Sequence, residues 1–189
     1  MNDESVPQSL LTRSYLRLAS GRVVAVFAVL YVVNQAALLF MFSRLGRDPL
    51  DLQLTLSKDV FLSIVSRWGD RGVATYLTHF CLDFFHPILY GVFLASAIAR
   101  LSIKRRTQPS AGIRVLFLLP FAAGFCDIVE NIMHVAMLTG FIEISRFAVA
   151  FSGAFTWVKW TLAAVSILSI IVLGIRKIAS SKEKTANGV

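Results

Sequence analysis

The chain has 189 residues, of which 56% are hydrophobic and 16% charged, and its formal net charge is +8. This composition disfavours a soluble domain and fits a single domain packed in lipid. No basic patch is interleaved with exposed aromatic residues, so nucleic acid is not an expected partner.

Four apolar runs approach or exceed the roughly 20 residues that cross a bilayer core. They lie near residues 22–42, 73–99, 113–140 and 147–174. The sequence therefore predicts an all-α integral membrane protein that forms a four-helix bundle. The first run is too long for the apolar core of a signal peptide and ends without a small-residue cleavage site, so we expect a retained transmembrane helix.

The connection between the first two runs, residues 43–72, has internal order. Leucines alternate with polar residues in its first part, which predicts an extended segment, at Leu50, Leu52, Leu54 and Leu56. Ser57 is a predicted N-cap, and apolar residues at helical spacing follow it as far as Gly69. We expect a short helix in the outer membrane interface, with Trp68 at headgroup depth.

The chain divides into an N-terminal segment at 1–21, a transmembrane domain at 22–177 and a tail at 178–189, and we expect both polar ends to be partly disordered.

The distribution of basic residues gives the predicted orientation in the membrane. Basic residues dominate these ends and the connection between spans two and three, including Lys104, Arg105 and Arg106. Because basic residues are retained in the cytoplasm, we predict cytoplasmic termini in a cell membrane of the bacterial inner or plasma-membrane type.

Each predicted span carries polar residues three or four positions apart, which places them on one face of a helix. Lipid does not solvate such a face, so we expect all four to point into the bundle. Pro87 predicts a kink in span two. The faces comprise Tyr31, Asn34 and Gln35; His79, Asp83, His86 and Tyr90; Asp127, Glu130, Asn131 and His134; and Ser152, Thr156 and Lys159.

Three carboxylates and one lysine fall within these spans and sum to a charge of −2, at Asp83, Asp127, Glu130 and Lys159. Each costs about 2.5–3.5 kcal/mol near mid-bilayer on insertion scales, so protons or a cation must balance the sum. We favour protons because Lys159 would repel a dication, and we predict no cofactor. A divalent metal is the alternative, with ligands drawn from His79, Asp83, His86, Asp127, Glu130 and His134.

His79 and Asp83, followed by downstream acids, Asn131 and tryptophans, resemble the site of the membrane-embedded sterol isomerases of the emopamil-binding group. The resemblance concerns site chemistry and covers at most spans two to four, so it assigns no family. This chain has Asp83 where that pattern places Glu, and the region of Trp157 and Trp160 lacks the Asn-x-x-Trp of the pattern. Both tryptophans are expected to pack in the protein core.

We therefore predict a site open toward the outer leaflet that binds or transforms a lipophilic small molecule by acid/base chemistry. Asp83 and Asp127 are the candidate bases, Glu130 the proton carrier and Lys159 their electrostatic partner. The predicted substrate-binding residues are His86, Asn131, Tyr90, Asn34 and Thr156.

Membrane lipids are further expected partners, and a homo-oligomer or a larger membrane complex is left open. Whether the protein is an enzyme is also left open. The alternatives are a metal-binding protein, a proton- or ion-coupled transporter, and a non-catalytic subunit or assembly factor.

Single-cysteine labelling tests the predicted topology. With Cys81 and Cys126 replaced by serine, a cysteine at position 62 should react with an impermeant maleimide from outside the cell, because the connection before span two is external. A cysteine at position 107 should react only after the membrane is opened. Labelling of both from the same side would contradict the four-span arrangement.

Overall fold

A computed structural model describes residues 10–103 and 109–186, with side chains described as far as Lys182. These residues form seven α-helices and no strands. The helices are α1 (Leu10–Leu18), α2 (Gly21–Phe42), α3 (Asp48–Leu54), α4 (Lys58–Asp83), α5 (His86–Ser102), α6 (Ala111–Leu138) and α7 (Arg146–Ala186). Lys104, Arg105 and Arg106, which contributed to the predicted orientation, lie outside the described residues.

Three of these helices, α2, α6 and α7, are long and apolar enough to cross a membrane. Helices α4 and α5 meet at a bend of 41° and would form a fourth span if counted as one unit. The all-α prediction is confirmed for the described residues, which include three or four candidate membrane spans.

Helices include parts of both ends that were expected to be partly disordered. Helix α1 buries Tyr15 against Ala99 of α5 and Phe117 of α6, so residues 10–18 pack on the longer helices. Helix α7 begins one residue before the predicted span and continues to Ala186, so it includes residues 178–186 of the tail. No proline interrupts the residues after 174, and most of them favour helix.

The predicted extended segment at 50–56 is also wrong, because residues 48–54 form α3. Pro49 lies in its first turn, where a missing N–H costs nothing, and Asp48 and Asp51 complement the helix dipole. The alternation of the leucines does not set the buried face, because Leu52 is the one buried leucine of α3. It is buried together with Pro49 and Gln53, at helical spacing.

Helix α4 begins as predicted, since the Ser57 hydroxyl accepts a hydrogen bond from the N–H of Val60 at 3.5 Å. Gly69 interrupts the helix with φ 58 and ψ −172, where a left-handed φ favours glycine. Residues before it are tied to α3, because Arg67 and the Trp68 indole both donate to the Asp48 carboxylate at 3.1 Å.

The bend between α4 and α5 confirms the kink expected at Pro87, although the helix breaks just before that residue. Helix α4 ends at Asp83, and α5 begins at His86 with Pro87 in its first turn. Because proline has no N–H and clashes with the preceding turn, it starts the new helix instead of continuing the old one.

Glycines in α5, α6 and α7 allow neighbouring backbone to approach these helices closely. A Cβ atom on Gly124 of α6 would lie 3.1 Å from the Pro87 carbonyl oxygen, and one on Gly91 of α5 would lie 3.5 Å from that of Pro120. At Gly153 of α7 it would collide with the carbonyl oxygen of Thr55. The backbone after α3 therefore lies directly against α7.

We expect Gly153→Ala to destabilise the protein by about 1–3 kcal/mol, because the added methyl group collides with backbone that cannot easily move. Gly174→Ala is the matched control in the same helix, since a Cβ there meets nothing within 4 Å. That change should be neutral or stabilising by up to about 1 kcal/mol. Thermal unfolding in detergent measures both, and equal midpoints would contradict the close contact.

Candidate functional site

Lys159 of α7 forms two ion pairs with α6 inside the protein. Its ammonium lies 3.0 Å from Asp127 Oδ1 and 2.6 Å from Glu130 Oε2. All three residues are at most 7% exposed. Asp127 and Glu130 are three residues apart, so they lie on one face of α6, turned toward α7. The three charges sum to −1, and the lysine is shared between both carboxylates.

Asp83 is the remaining carboxylate of the predicted set, and it lies apart from the lysine ion pairs. It is 7% exposed, and within the described residues its only ion-pair neighbour within 4.0 Å is His79, whose Nε2 is 3.8 Å from Oδ2. The amide of Asn131 faces this carboxylate. Neither polar atom of that amide completes a hydrogen bond among the described residues.

A cavity of about 400 Å³ lies between the helices next to these charges. Its polar lining comes from six helices, α2 to α7, and consists of Tyr31, Gln35, Gln53, Asp83, His86, Tyr90, Asp127 and Lys159. Phe93 and Leu94 of α5 and Ile167 and Ile170 of α7 form apolar walls on one side. The cavity thus joins a charged region to an apolar one.

The cavity is partly open, and two of its lining side chains also reach the outer surface of the helices. Helix α2 packs on α5 and α4, and α7 packs on α6 and α5, whereas α2 and α7 make little or no direct contact. Trp160 and Ile167 line the cavity and are nevertheless 50% and 49% exposed. These two side chains therefore border both the cavity and the apolar outer surface of the helices.

The expectation that both deep tryptophans pack in the core is wrong. Trp160 lies at the rim of the cavity, and Trp157 is 54% exposed. The Trp157 indole donates a hydrogen bond to the Leu54 carbonyl at 3.2 Å, so this side chain ties α7 to the end of α3.

Two of the three histidines belong to an aromatic cluster around Tyr76 and do not line the cavity. His134 Nδ1 lies 3.0 Å from the Tyr76 hydroxyl, and His79 Nδ1 donates to the Tyr76 carbonyl. The sequence interpretation missed Tyr76. Its spacing to His79, Phe80 and Asp83 follows one helical face, and this signal could have identified it.

Three of the predicted metal ligands, Asp83, His86 and Asp127, line the cavity. His79 and His134 belong to the Tyr76 cluster, and Glu130 is buried outside the cavity lining. Among the described residues, no group of three or more His, Cys, Asp or Glu side chains converges as a metal site. Metal content stays a prediction that elemental analysis tests.

The other predicted site residues lie inside the protein. Tyr90 lines the cavity, and its buried hydroxyl faces Asp127 without completing a hydrogen bond among the described residues. Asn34 bonds His86, with 2.8 Å between Oδ1 and Nδ1. Glu130, Asn131 and Thr156 are fully buried outside the cavity lining. Gln53 was missed because its segment was read as extended.

The fold and site define a helical membrane protein with buried charged residues beside an internal cavity. Comparisons with protein-family models, with curated proteins and with solved structures found no match for this chain.

We expect Lys159→Met to destabilise the protein by about 3–5 kcal/mol, because two buried carboxylates lose their cation. Adding Asp127→Asn and Glu130→Gln should recover part of the loss, since a neutral buried site is better than an unpaired charge. Adding Asp83→Asn is the control and should recover less, because that carboxylate lies outside both ion pairs. Unfolding in detergent measures all variants, and equal recovery would contradict this pairing.

Proposed function

We propose that the cavity binds a lipophilic small molecule with one polar end and that the adjacent ionisable groups act on that end by acid/base chemistry. The observation that carries this proposal is a cavity of about 400 Å³ that joins charged side chains to apolar walls. Cavities of about 300–1,000 Å³ typically hold small-molecule ligands, with mostly apolar walls and a few placed polar groups.

The apolar walls support a ligand more than an ion path. Phe93, Leu94, Ile167 and Ile170 offer no hydrogen-bonding side chain to an ion, whereas they suit a hydrocarbon body. The opening beside Trp160 supports entry from the surrounding lipid. In this proposal the ligand is already dissolved in the membrane.

The proposed roles follow the geometry of the charges. Asp83 is the candidate base, because no lysine or arginine among the described residues pairs with it. Asp127 and Glu130 share Lys159, which holds charge near the polar end of the ligand. A proton on one carboxylate balances part of the remaining charge at lower cost than a dication beside Lys159.

The supporting residues have positions suited to binding. His86 and Tyr90 border the cavity, and Asn34 lies behind His86. Asn131 and Thr156 are buried behind the carboxylates, where they are proposed to orient them.

We further propose one transmembrane domain at 22–177, in which α2, the bent pair α4–α5, α6 and α7 form a four-helix bundle. Both termini would be cytoplasmic, in a cell membrane of the bacterial inner or plasma-membrane type. Gln53 and Phe42 would then line the outer end of the cavity and Ile170 its inner end. Basic residues near the termini would contact anionic lipid headgroups.

Filling the cavity tests the proposal. Ala163 of α7 lines the cavity, whereas Leu168 of the same helix is 60% exposed and lies outside the lining. We expect Ala163→Phe to weaken binding of a terminally brominated long-chain alcohol at least about tenfold, because the ring occupies ligand space. The measurement is saturable quenching of Trp160 fluorescence, obtained by subtracting the signal of a Trp160→Phe variant, because Trp68 and Trp157 hold α3 and stay in place.

Leu168→Phe is the control and should leave the affinity within about twofold. Equal effects of the two variants, or no saturable quenching at all, would contradict a ligand site. Stoichiometric zinc, iron or manganese that disappears in Asp127→Ala would instead favour the metal-binding alternative.

A further inference from the structure

Asn34 of α2 connects the break between α4 and α5 to a cavity side chain. Its Nδ2 donates to the Leu82 carbonyl oxygen at 3.2 Å. Its Oδ1 lies 2.8 Å from Nδ1 of His86. The Leu82 carbonyl also accepts from the Phe85 N–H at 3.1 Å, and its second lone pair is free for the Asn34 amide.

These two contacts determine where the His86 proton lies. A backbone carbonyl can only accept a hydrogen bond, so the amide nitrogen of Asn34 must face Leu82. The amide oxygen therefore faces His86, and it too can only accept. The facing ring nitrogen, Nδ1, must then carry a hydrogen, which in a neutral imidazole leaves Nε2 as an acceptor.

The surroundings of the ring leave Nε2 available to a ligand. His86 lies against Tyr31 and Tyr90, with ring centroids 5.4 and 5.3 Å away, and all three side chains line the cavity. Among the described residues, the bond to Asn34 is the only hydrogen bond that the ring makes. The lysine nearby is directed to its two carboxylates.

We propose that Asn34 is a positioning residue that holds His86 in the Nδ1–H tautomer, so that Nε2 selects ligands whose polar end donates a hydrogen bond. The selection of ligands rests on the proposed function, whereas the assignment of the tautomer rests on the hydrogen bonds of Asn34 alone. The preferred class is a lipophilic alcohol, or an amine or amide with an N–H. A ketone of the same skeleton only accepts, and it would place two acceptors face to face.

Nitrogen-15 NMR of labelled histidine tests the tautomer directly, because protonated and unprotonated ring nitrogens resonate far apart. The chain has three histidines, so His86→Gln assigns the signal and the other two report on the fold. We expect His86 to carry its proton on Nδ1 in the native protein.

Two variants distinguish a role of Asn34 in positioning the His86 proton from a purely structural role. Asn34→Leu and Asn34→Asp both lose the bond to the Leu82 carbonyl, but only Asn34→Leu also loses the acceptor for His86. We expect Asn34→Asp to keep a hydrogen on Nδ1 and Asn34→Leu to move the proton toward Nε2. A native signal with the proton on Nε2, or the same tautomer in all three proteins, would overturn the proposal.

A pair of probes tests the selection. We expect the native protein to bind a terminally brominated long-chain alcohol at least about tenfold more tightly than the brominated methyl ketone of the same length. In Asn34→Leu this ratio should fall to about one, while Asn34→Asp should retain a preference for the alcohol. Quenching of Trp160 fluorescence measures both probes.

The outcomes distinguish the two proposals. Nδ1–H with equal affinities for alcohol and ketone would overturn the selection while leaving a ligand site in place. An absence of saturable binding by either probe would overturn the proposed function and the selection together, and the NMR result alone would then decide the role of Asn34.

Discussion

The ammonium of Lys159 between Asp127 and Glu130 is the constraint on which the site depends. In an apolar interior, a charge without a partner costs far more than one in water. Any slide of α7 along α6 would separate these groups, so the ion pairs hold the two helices in one register. Asp127 of α6 and Trp160 of α7 keep their relative places at the cavity because this register is held.

Much of the membrane architecture follows from chain chemistry, because lipid excludes polar faces and helices repeat about every 3.6 residues. The bounds of α2 and the cap at Ser57 were predictable for that reason. Residues 48–54 were not, because leucines at every second position suit a strand as well as a short helix that proline starts. Helix α1 depends on the burial of Tyr15 against distant residues.

The ionisable residues of the site were predictable, because lipid does not solvate charged side chains and these must face the protein interior. The apolar walls were not, because an isoleucine that faces lipid and one that faces a cavity have the same chemistry. Ile167 and Leu168 are neighbours of this kind, and only the first lines the cavity. The sequence also could not separate His79 from His86, since the break between them redirects the helix axis.

Helix α3 brings Gln53 into the cavity and buries Leu52, and its polar contacts to neighbouring helices lie near the surface. Asp48 binds Arg67 and Trp68 near one end, and the Leu54 carbonyl accepts from the exposed Trp157 indole at the other. Surface position usually means freedom to vary in evolution. Here a half-exposed tryptophan and a surface aspartate anchor one wall of the cavity. Substitutions at these two outer positions during evolution would change the shape of the cavity.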